Sequence, residues 1–211
     1  MGRSMREIIT LHFHRFYCYL FFLLMLGAVG CQKKTTANEK SSLDSLQRHH
    51  YTAMGDSISI AAQQALMKQL MTAIESGGPE YAVNFCNERA MPITDSLSNR
   101  YNCEIKRIAL RNRNPNNALT TEEKIIYDVY AQLITTGASA QPQLVINQKE
   151  LLFYKPIVLG MPACLQCHGK PDQLDPKAYV AIQSKYPDDK AVNFSLGELR
   201  GMWKITFHNM P

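Results

Sequence analysis

The segment Cys164-Leu165-Gln166-Cys167-His168 holds the residue types in this 211-residue chain that are best suited to chemistry. Two cysteines separated by two residues place their thiols at the spacing of the two vinyl groups of a haem, and each thiol can add to one vinyl as a thioether. The histidine that follows then falls beneath the iron and can ligate it. The spacing therefore predicts one covalently bound haem c, held by Cys164, Cys167 and His168.

Two other kinds of site use closely spaced cysteines. A zinc site needs a second pair of ligands, and only Cys86 and Cys103 remain to supply it, without the CxxC spacing. A thioredoxin-like redox pair opens a helix in a βαβ context. Here the pair follows Gly160-Met161-Pro162 and precedes Gly169-Lys170-Pro171, which is a loop-like context. Both alternatives are weaker than haem attachment.

The N-terminus has the features of an export signal. Arg3, Arg6 and Arg15 form a basic start, and the apolar run 16–30 is shorter than the roughly 20 residues that a membrane span needs. We predict that residues 1–30 are a lipoprotein signal peptide.

The signal ends Ala28-Val29-Gly30-Cys31, which resembles a bacterial lipobox with Ala28 in place of the usual leucine. We expect a lipid on Cys31, a membrane-anchored protein and a location on the periplasmic or cell-surface side. An uncleaved anchor helix from Leu11 is the alternative, although His12 and His14 would be unfavourable inside the bilayer.

The stretch that follows Cys31 has few apolar residues, and such a composition cannot bury enough surface to order itself. We therefore predict a flexible tether over residues 31–50 and a folded domain over residues 51–211. The chain is 45% hydrophobic with a formal net charge of +5 and no runs of Lys or Arg. This weak basic excess does not indicate a nucleic-acid partner.

Hydrophobic spacing and terminator residues predict several helices and strands. The helices are expected at Ser57–Glu75, before Gly77-Gly78-Pro79, at Glu80–Arg89, from Pro92 to about Asn99, and at Thr121–Ile134. The strands are expected at Glu104–Leu110, Gln143–Asn147, Leu151–Leu159 and Met202–His208. Helices followed by antiparallel strands predict an α+β fold.

Five pieces of the chain, in order, resemble a bacterial family of c-type haem proteins with a PAS-like sheet, which a cyanobacterial haem protein typifies. The pieces are residues 84–92 (NFCNERAMP), 111–118 (RNRNPNNA), 156–169 with the CLQCHG run, 186–191 (YPDDKA) and 197–203 (GELRGMW). The family usually has Asp where this chain has Glu198. The resemblance implies a PAS-like antiparallel sheet with N-terminal helices packed around one haem c.

The resemblance further implies that the iron has two axial ligands, His168 and Cys86. Without it, Cys86 would be read as a packed core thiol or as half of a disulfide with Cys103, which an exported protein permits. Other candidates for the distal ligand are His208, Met161 and Met202.

Arginine side chains are candidates for contacts with the anionic haem propionates, because a guanidinium pairs with a carboxylate through two hydrogen bonds. The candidates are Arg111, Arg113 and Arg200, although most arginines are simply solvated.

A haem with a thiolate ligand has a low potential, because the thiolate donates electron density to the iron. We therefore expect a protein of electron transfer, or of haem-based redox or gas sensing, that works with a redox partner or a separate signalling protein. The alternative is a haem enzyme of a peroxidase-like or nitrogen-oxide-processing type. The sequence favours no enzyme, since it shows no obvious distal His–Arg pair.

Overall fold

The computed structural model describes residues 43–147 and 150–208, without the side chains of Cys86 and Asn87. The predicted signal peptide, the lipid site Cys31 and the first part of the predicted tether lie outside these residues. The folded domain begins earlier than expected, because helix α1 starts at Ser45, within the stretch predicted to be a tether. Asp44 caps this start through a hydrogen bond from the backbone N–H of Gln47, whose side chain returns a bond to Asp44.

Helix α1 spans Ser45–Tyr101 and is interrupted once, at Gly78, whose φ of 79° is in the left-handed region. The break falls where the terminator at residues 77–79 was predicted. The predicted start of a new helix at Pro92 is wrong, because the helix continues through this residue. A proline inside a helix removes one backbone hydrogen bond. The helical turns before and after it can still form and continue the helix. The helix ends at Asn102, whose backbone is left-handed.

Four strands form one antiparallel sheet in the order β1-β4-β3-β2. The strands are β1 (Glu104–Ile108), β2 (Gln143–Asn147), β3 (Glu150–Val158) and β4 (Leu199–Phe207). All four predicted strands are confirmed, with ends that differ by a few residues. Together with the long N-terminal helix, they confirm an α+β fold.

The sheet is covered on both faces. Helix α1 covers one face, where Ile58 and Ala62 pack with Phe153 and Ile205. Helix α2 (Thr121–Thr135), which Thr120 and Glu123 cap as a capping box, covers the other. On that face Tyr130, Leu152 and Met202 form a second buried cluster. Strand β4 is consequently buried along most of its length.

A 3-10 turn at Pro115–Asn117 lies between β1 and α2, and the remaining elements connect β3 to β4. A 3-10 turn at Pro162–Cys164 leads into the short helix α3 (Leu165–His168), and helix α4 (Pro176–Lys185) follows and packs against α1. None of the helices in the described part of the chain is long and apolar enough to cross a membrane.

Candidate functional site

The cysteine–histidine motif itself forms a single helical turn. Cys164 ends the 3-10 turn, and Leu165–His168 form α3. Residues three and four positions apart share one face of a helix, so the thiols of Cys164 and Cys167 and the ring of His168 are presented together. Both thiols are partly exposed, and neither forms a disulfide.

All three motif residues line a cavity of about 620 Å³. Residues of α1 on both sides of the break at Gly78, from Gln63 to Asn99, and the residues of β1 also line it. The size falls within the roughly 300–1,000 Å³ that is usual for small-molecule and cofactor sites. The apolar part of the lining includes Met67, Leu70, Ile74, Val83, Ile105 and Leu159.

The ring of His168 has a defined orientation. Its Nδ1 lies 2.7 Å from the carbonyl oxygen of Ala191. A carbonyl can only accept a hydrogen bond, so Nδ1 carries the proton and Nε2 keeps a free lone pair. The ring of Phe194 packs edge-on against the imidazole, at a centroid distance of 6.2 Å.

His168 is held in its neutral form. The residue is only half-buried because it borders the cavity, but the surrounding protein still desolvates the ring. Burial is the main cause that lowers its pKa well below the usual value, and the positive charges of Arg200 and Arg113 lower it further. The hydrogen bond to Ala191 opposes these effects. A neutral imidazole with a bonded Nδ1–H is the form that ligates metals.

Residues 189–194, here called the strap, form backbone hydrogen bonds with the end of the motif. The backbone N–H of Phe194 donates to the carbonyl of His168 at 2.9 Å, and that of Asn193 donates to Gly169 at 2.8 Å. Within the strap, the Oδ1 of Asp189 accepts from the backbone N–H of Ala191 at 2.8 Å. The strap thus follows the backbone of the motif and supplies the acceptor for His168.

Arg113 joins the strap to the motif. Its Nη2 donates to the carbonyl of Cys167 at 2.6 Å and to that of Ala191 at 3.3 Å, and it pairs with Asp189 at 3.0 Å. Both partners of the ion pair are largely buried, with side chains that are 16% and 7% exposed.

The three arginines predicted to contact a propionate occupy different places. Arg113 and Arg200 line the cavity, and each has a buried Nε–H without a hydrogen-bond partner. Arg111 is not among the described residues that line it. Its guanidinium pairs with Glu198 and lies 3.4 Å from the centre of the Phe194 ring.

Two further cations on the cavity wall, Lys106 and Arg107 of β1, were missed in the sequence. Surface strands commonly carry lysine and arginine, so the sequence offered no reason to assign these two residues to a site. Only the position of β1 beside the cavity makes them candidates for binding an anion. The charges crowd one another: burial, with the repulsion from Arg113 and Arg107, lowers the pKa of Arg200 to about 10. An anionic group in the cavity would relieve this repulsion.

The role of Cys86 stays a prediction, because its side chain lies outside the described atoms. Its backbone is part of α1, and the positions one turn before and after it, Ala82 and Ala90, both line the cavity. Cys103 also lines the cavity; it is buried, and burial raises its pKa to about 11.

The other distal candidates are located elsewhere. Met202 is buried in the core against α2, His208 lies 3.6 Å from Glu150, and Met161 is 41% exposed. None of the three is among the described residues that line the cavity.

The residues present fit a haem c. The cavity offers two thiols on one wall, a neutral imidazole with an available Nε2, an apolar lining, and two lining guanidinium groups, Arg113 and Arg200, each with a buried Nε–H that lacks a partner. These groups are the ones that bind the vinyl carbons, the iron, the macrocycle and the propionates respectively.

Comparison with known proteins identifies relatives of the same kind. A structural match to the crystal structure of the cyanobacterial heme-protein Tll0287 has a TM-score of 0.59 and 21% sequence identity, and covers 76% of this chain and 96% of that one. No curated protein sequence matches the chain. The sequence matches the Tll0287-like family, described as Tll0287, over residues 32–207. The chain therefore belongs to the Tll0287-like family.

Proposed function

We propose that this protein binds one haem c covalently and acts in electron transfer or in haem-based sensing outside the cytoplasm. The observation that carries the proposal is the shared wall of the cavity: Cys164, Cys167 and His168 all line it, and His168 is neutral with its Nδ1 proton bonded to Ala191. The thiols of Cys164 and Cys167 add to the vinyl groups, and Nε2 of His168 ligates the iron. Bound haem would supply a centre that takes up and releases one electron.

The second axial ligand in this proposal is the thiolate of Cys86. The family resemblance suggests it, and one feature of α1 and one property of thiols support it. Ala82 and Ala90 line the cavity at helical spacing on either side of position 86. A metal also deprotonates a coordinating thiol, so a buried position does not prevent the thiolate from forming.

The two axial ligands determine the chemical role. A thiolate donates electron density and gives the haem a low potential, which suits a low-potential electron carrier or a redox sensor. With both axial positions filled, a substrate can reach the iron only when one ligand leaves. Gas sensing would use this step, because displacement of Cys86 by CO or NO would release the segment of α1 that holds it.

The physiological setting follows from the N-terminal signal. We propose that the protein is a periplasmic or cell-surface lipoprotein anchored through Cys31, and that its redox or signalling partner is a separate protein. The PAS-like description of the sheet belongs to the same proposal, and its four-strand antiparallel order supports it.

The test is to produce the full chain in a bacterial host that matures c-type cytochromes. We expect colour that remains with the denatured polypeptide, a mass increase of one haem, and a haemochrome spectrum typical of two thioethers. A mass equal to that of the polypeptide with its lipid, or colour fully extracted by acid, would contradict haem c.

The distal ligand is tested by the ferric EPR spectrum of the wild type beside Cys86→Ser, with Cys103→Ala as the matched control. We expect a low-spin thiolate signal that is lost in Cys86→Ser and kept in Cys103→Ala. Loss in Cys103→Ala alone would assign the ligand to Cys103 instead. Rapid turnover of peroxide by the ferric protein would favour the haem-enzyme alternative.

A further inference from the structure

Arg113 is placed to control the environment of His168 although it does not touch the imidazole. One nitrogen, Nη2, donates to the carbonyl of Cys167 and to that of Ala191, and the Ala191 carbonyl is the acceptor for His168 Nδ1. The same guanidinium therefore contacts the motif on one side and the partner of the axial histidine on the other.

Asp189 fixes this guanidinium in place. Its Oδ2 pairs with Arg113 Nη2 at 3.0 Å, while its Oδ1 accepts from the backbone N–H of Ala191 at 2.8 Å. A largely buried carboxylate that uses both oxygens leaves the arginine little freedom to rotate away. The position of the Ala191 carbonyl is thus set by a closed ring of contacts.

We infer that Arg113, locked by Asp189, is a positioning residue that holds the Ala191 carbonyl on His168 and so keeps the axial imidazole in one tautomer and one orientation. This inference rests on the proposed function, in which His168 is an axial ligand of the haem iron. It gives Arg113 a role different from that of a propionate contact. Hydrogen-bond partners of this kind are known to fix the ring and raise the basicity of metal-ligating histidines.

Lysine cannot replace Arg113 in this role. A lysine keeps the charge, but its ammonium sits on a flexible stem and lacks the rigid planar guanidinium that holds Nη2 against two carbonyls and a carboxylate. Arg113→Lys therefore separates positioning from simple electrostatics, since a purely electrostatic role would survive the substitution.

The experiment follows the ring proton on His168 Nδ1 in the full chain by NMR, with ¹⁵N-labelled histidine and the haem in its ferrous state. In the wild type we expect a protonated Nδ1 in slow exchange with water. In Arg113→Lys and in Asp189→Asn we expect exchange faster by on the order of tenfold, which is the effect of losing one hydrogen bond. The ferric EPR signal should broaden in both variants, because the imidazole then samples more than one orientation.

Two controls separate positioning from general effects. Arg48→Lys makes the same chemical change at an exposed site in the first turn of α1. Phe153→Ala weakens the sheet core without touching the strap. If the ring proton in Arg113→Lys exchanges no faster than in these controls, or if the EPR signal is unchanged, the inference is wrong.

Failure of the proposed function gives a different result. A wild-type chain without covalent haem would contradict the haem c proposal, whereas the exchange of the His168 ring proton can still be measured in the haem-free protein. Faster exchange in Arg113→Lys would then support the positioning role by itself, and equal exchange would overturn it.

Discussion

The sheet and the cavity lie side by side in this protein and are filled in opposite ways. Both faces of the sheet are closed by side chains, so that Phe153, Met202 and Ile205 are fully buried. Beside them, the wall formed by β1, α1 and the motif surrounds about 620 Å³ without side chains that fill it. The side chains of the sheet core fill the space between the sheet and its helices. The cavity has the same kind of apolar lining, but a cofactor would be needed to fill it.

The chemistry of the two linings supports this difference. Tyr130, the largest fully buried residue of the sheet core, has a partner, since its hydroxyl donates to the carbonyl of Tyr154 at 3.0 Å. In the cavity wall the Nε–H groups of Arg113 and Arg200 are buried without a partner. Buried donors normally find an acceptor, so their presence here favours an anionic group at this place.

The largest effect is expected when the attachment to the cavity is removed. Cys164→Ser combined with Cys167→Ser leaves no thiol in the motif, so covalently bound haem should fall to zero, because an ether from serine does not form under the same conditions. Mass spectrometry of the denatured protein measures the loss. Cys103→Ala is the control, and it should keep the haem because Cys103 is outside the motif; covalent haem in the double variant would refute the attachment.

A large truncation in the sheet should destabilise the protein without changing the haem site. Phe153 is fully buried, and Gly55 packs so closely on it that a Cβ at that glycine would lie 2.4 Å from the ring. Phe153→Ala should lower the free energy of unfolding by about 3–5 kcal/mol. Urea denaturation measures the change, and the haem absorption of the folded fraction should stay as in the wild type.

A matched pair of enlargements tests the comparison directly. Ala62 is fully buried in the sheet core, so Ala62→Leu should cost about 1–3 kcal/mol of stability through overpacking. Ala90 lines the cavity, so Ala90→Leu has room and should leave the stability of the haem-free protein within about 0.5 kcal/mol.

The same pair should separate in haem content. Ala90→Leu places its side chain in the space that the macrocycle would use, and we expect less haem per polypeptide by the haemochrome assay. Ala62→Leu should carry haem at the wild-type ratio in its folded fraction. Equal destabilisation by both variants would mean that the cavity is packed like the sheet.

The smallest effect is expected for an exposed ion pair on the surface of α2. Lys124 and Asp128 are about half exposed and form a pair four residues apart on α2. Asp128→Asn should change the free energy of unfolding by about 0.5 kcal/mol or less, because solvent screens exposed pairs. A thermal melt at low and high salt checks this, and a loss above 1 kcal/mol would show that this pair is more than a surface contact.

Local patterns predicted most of the elements, although not helix α4. The four strands were predicted from alternation, and the helix at Thr121 from its cap and acidic first turn. The break at Gly78 was predicted from the glycines and the proline that follows. Each of these features depends on residues that are neighbours in the chain, so that their physical cause is already present in a short window.

Contacts between distant residues were not predictable in this way. Alternation could not show that α1 continues through Pro92, because packing against the sheet and α4 outweighs one lost hydrogen bond. The sequence also placed Arg111 and Arg113 in one class. The structure separates them: Arg111 pairs with Glu198 and contacts the strap, whereas Arg113 contacts both the strap and the motif.

The sequence by itself determined the spacing of the motif's reactive groups, because two thiols and an imidazole within five residues need only one turn of backbone to act together. The tertiary structure alone decided what surrounds them: the cavity, the cations of β1, and the carbonyl of Ala191 that selects the tautomer of His168. The reason is physical. A motif fixes the spacing of its own atoms, but burial, hydrogen-bond partners and the local field come from segments that only folding brings near.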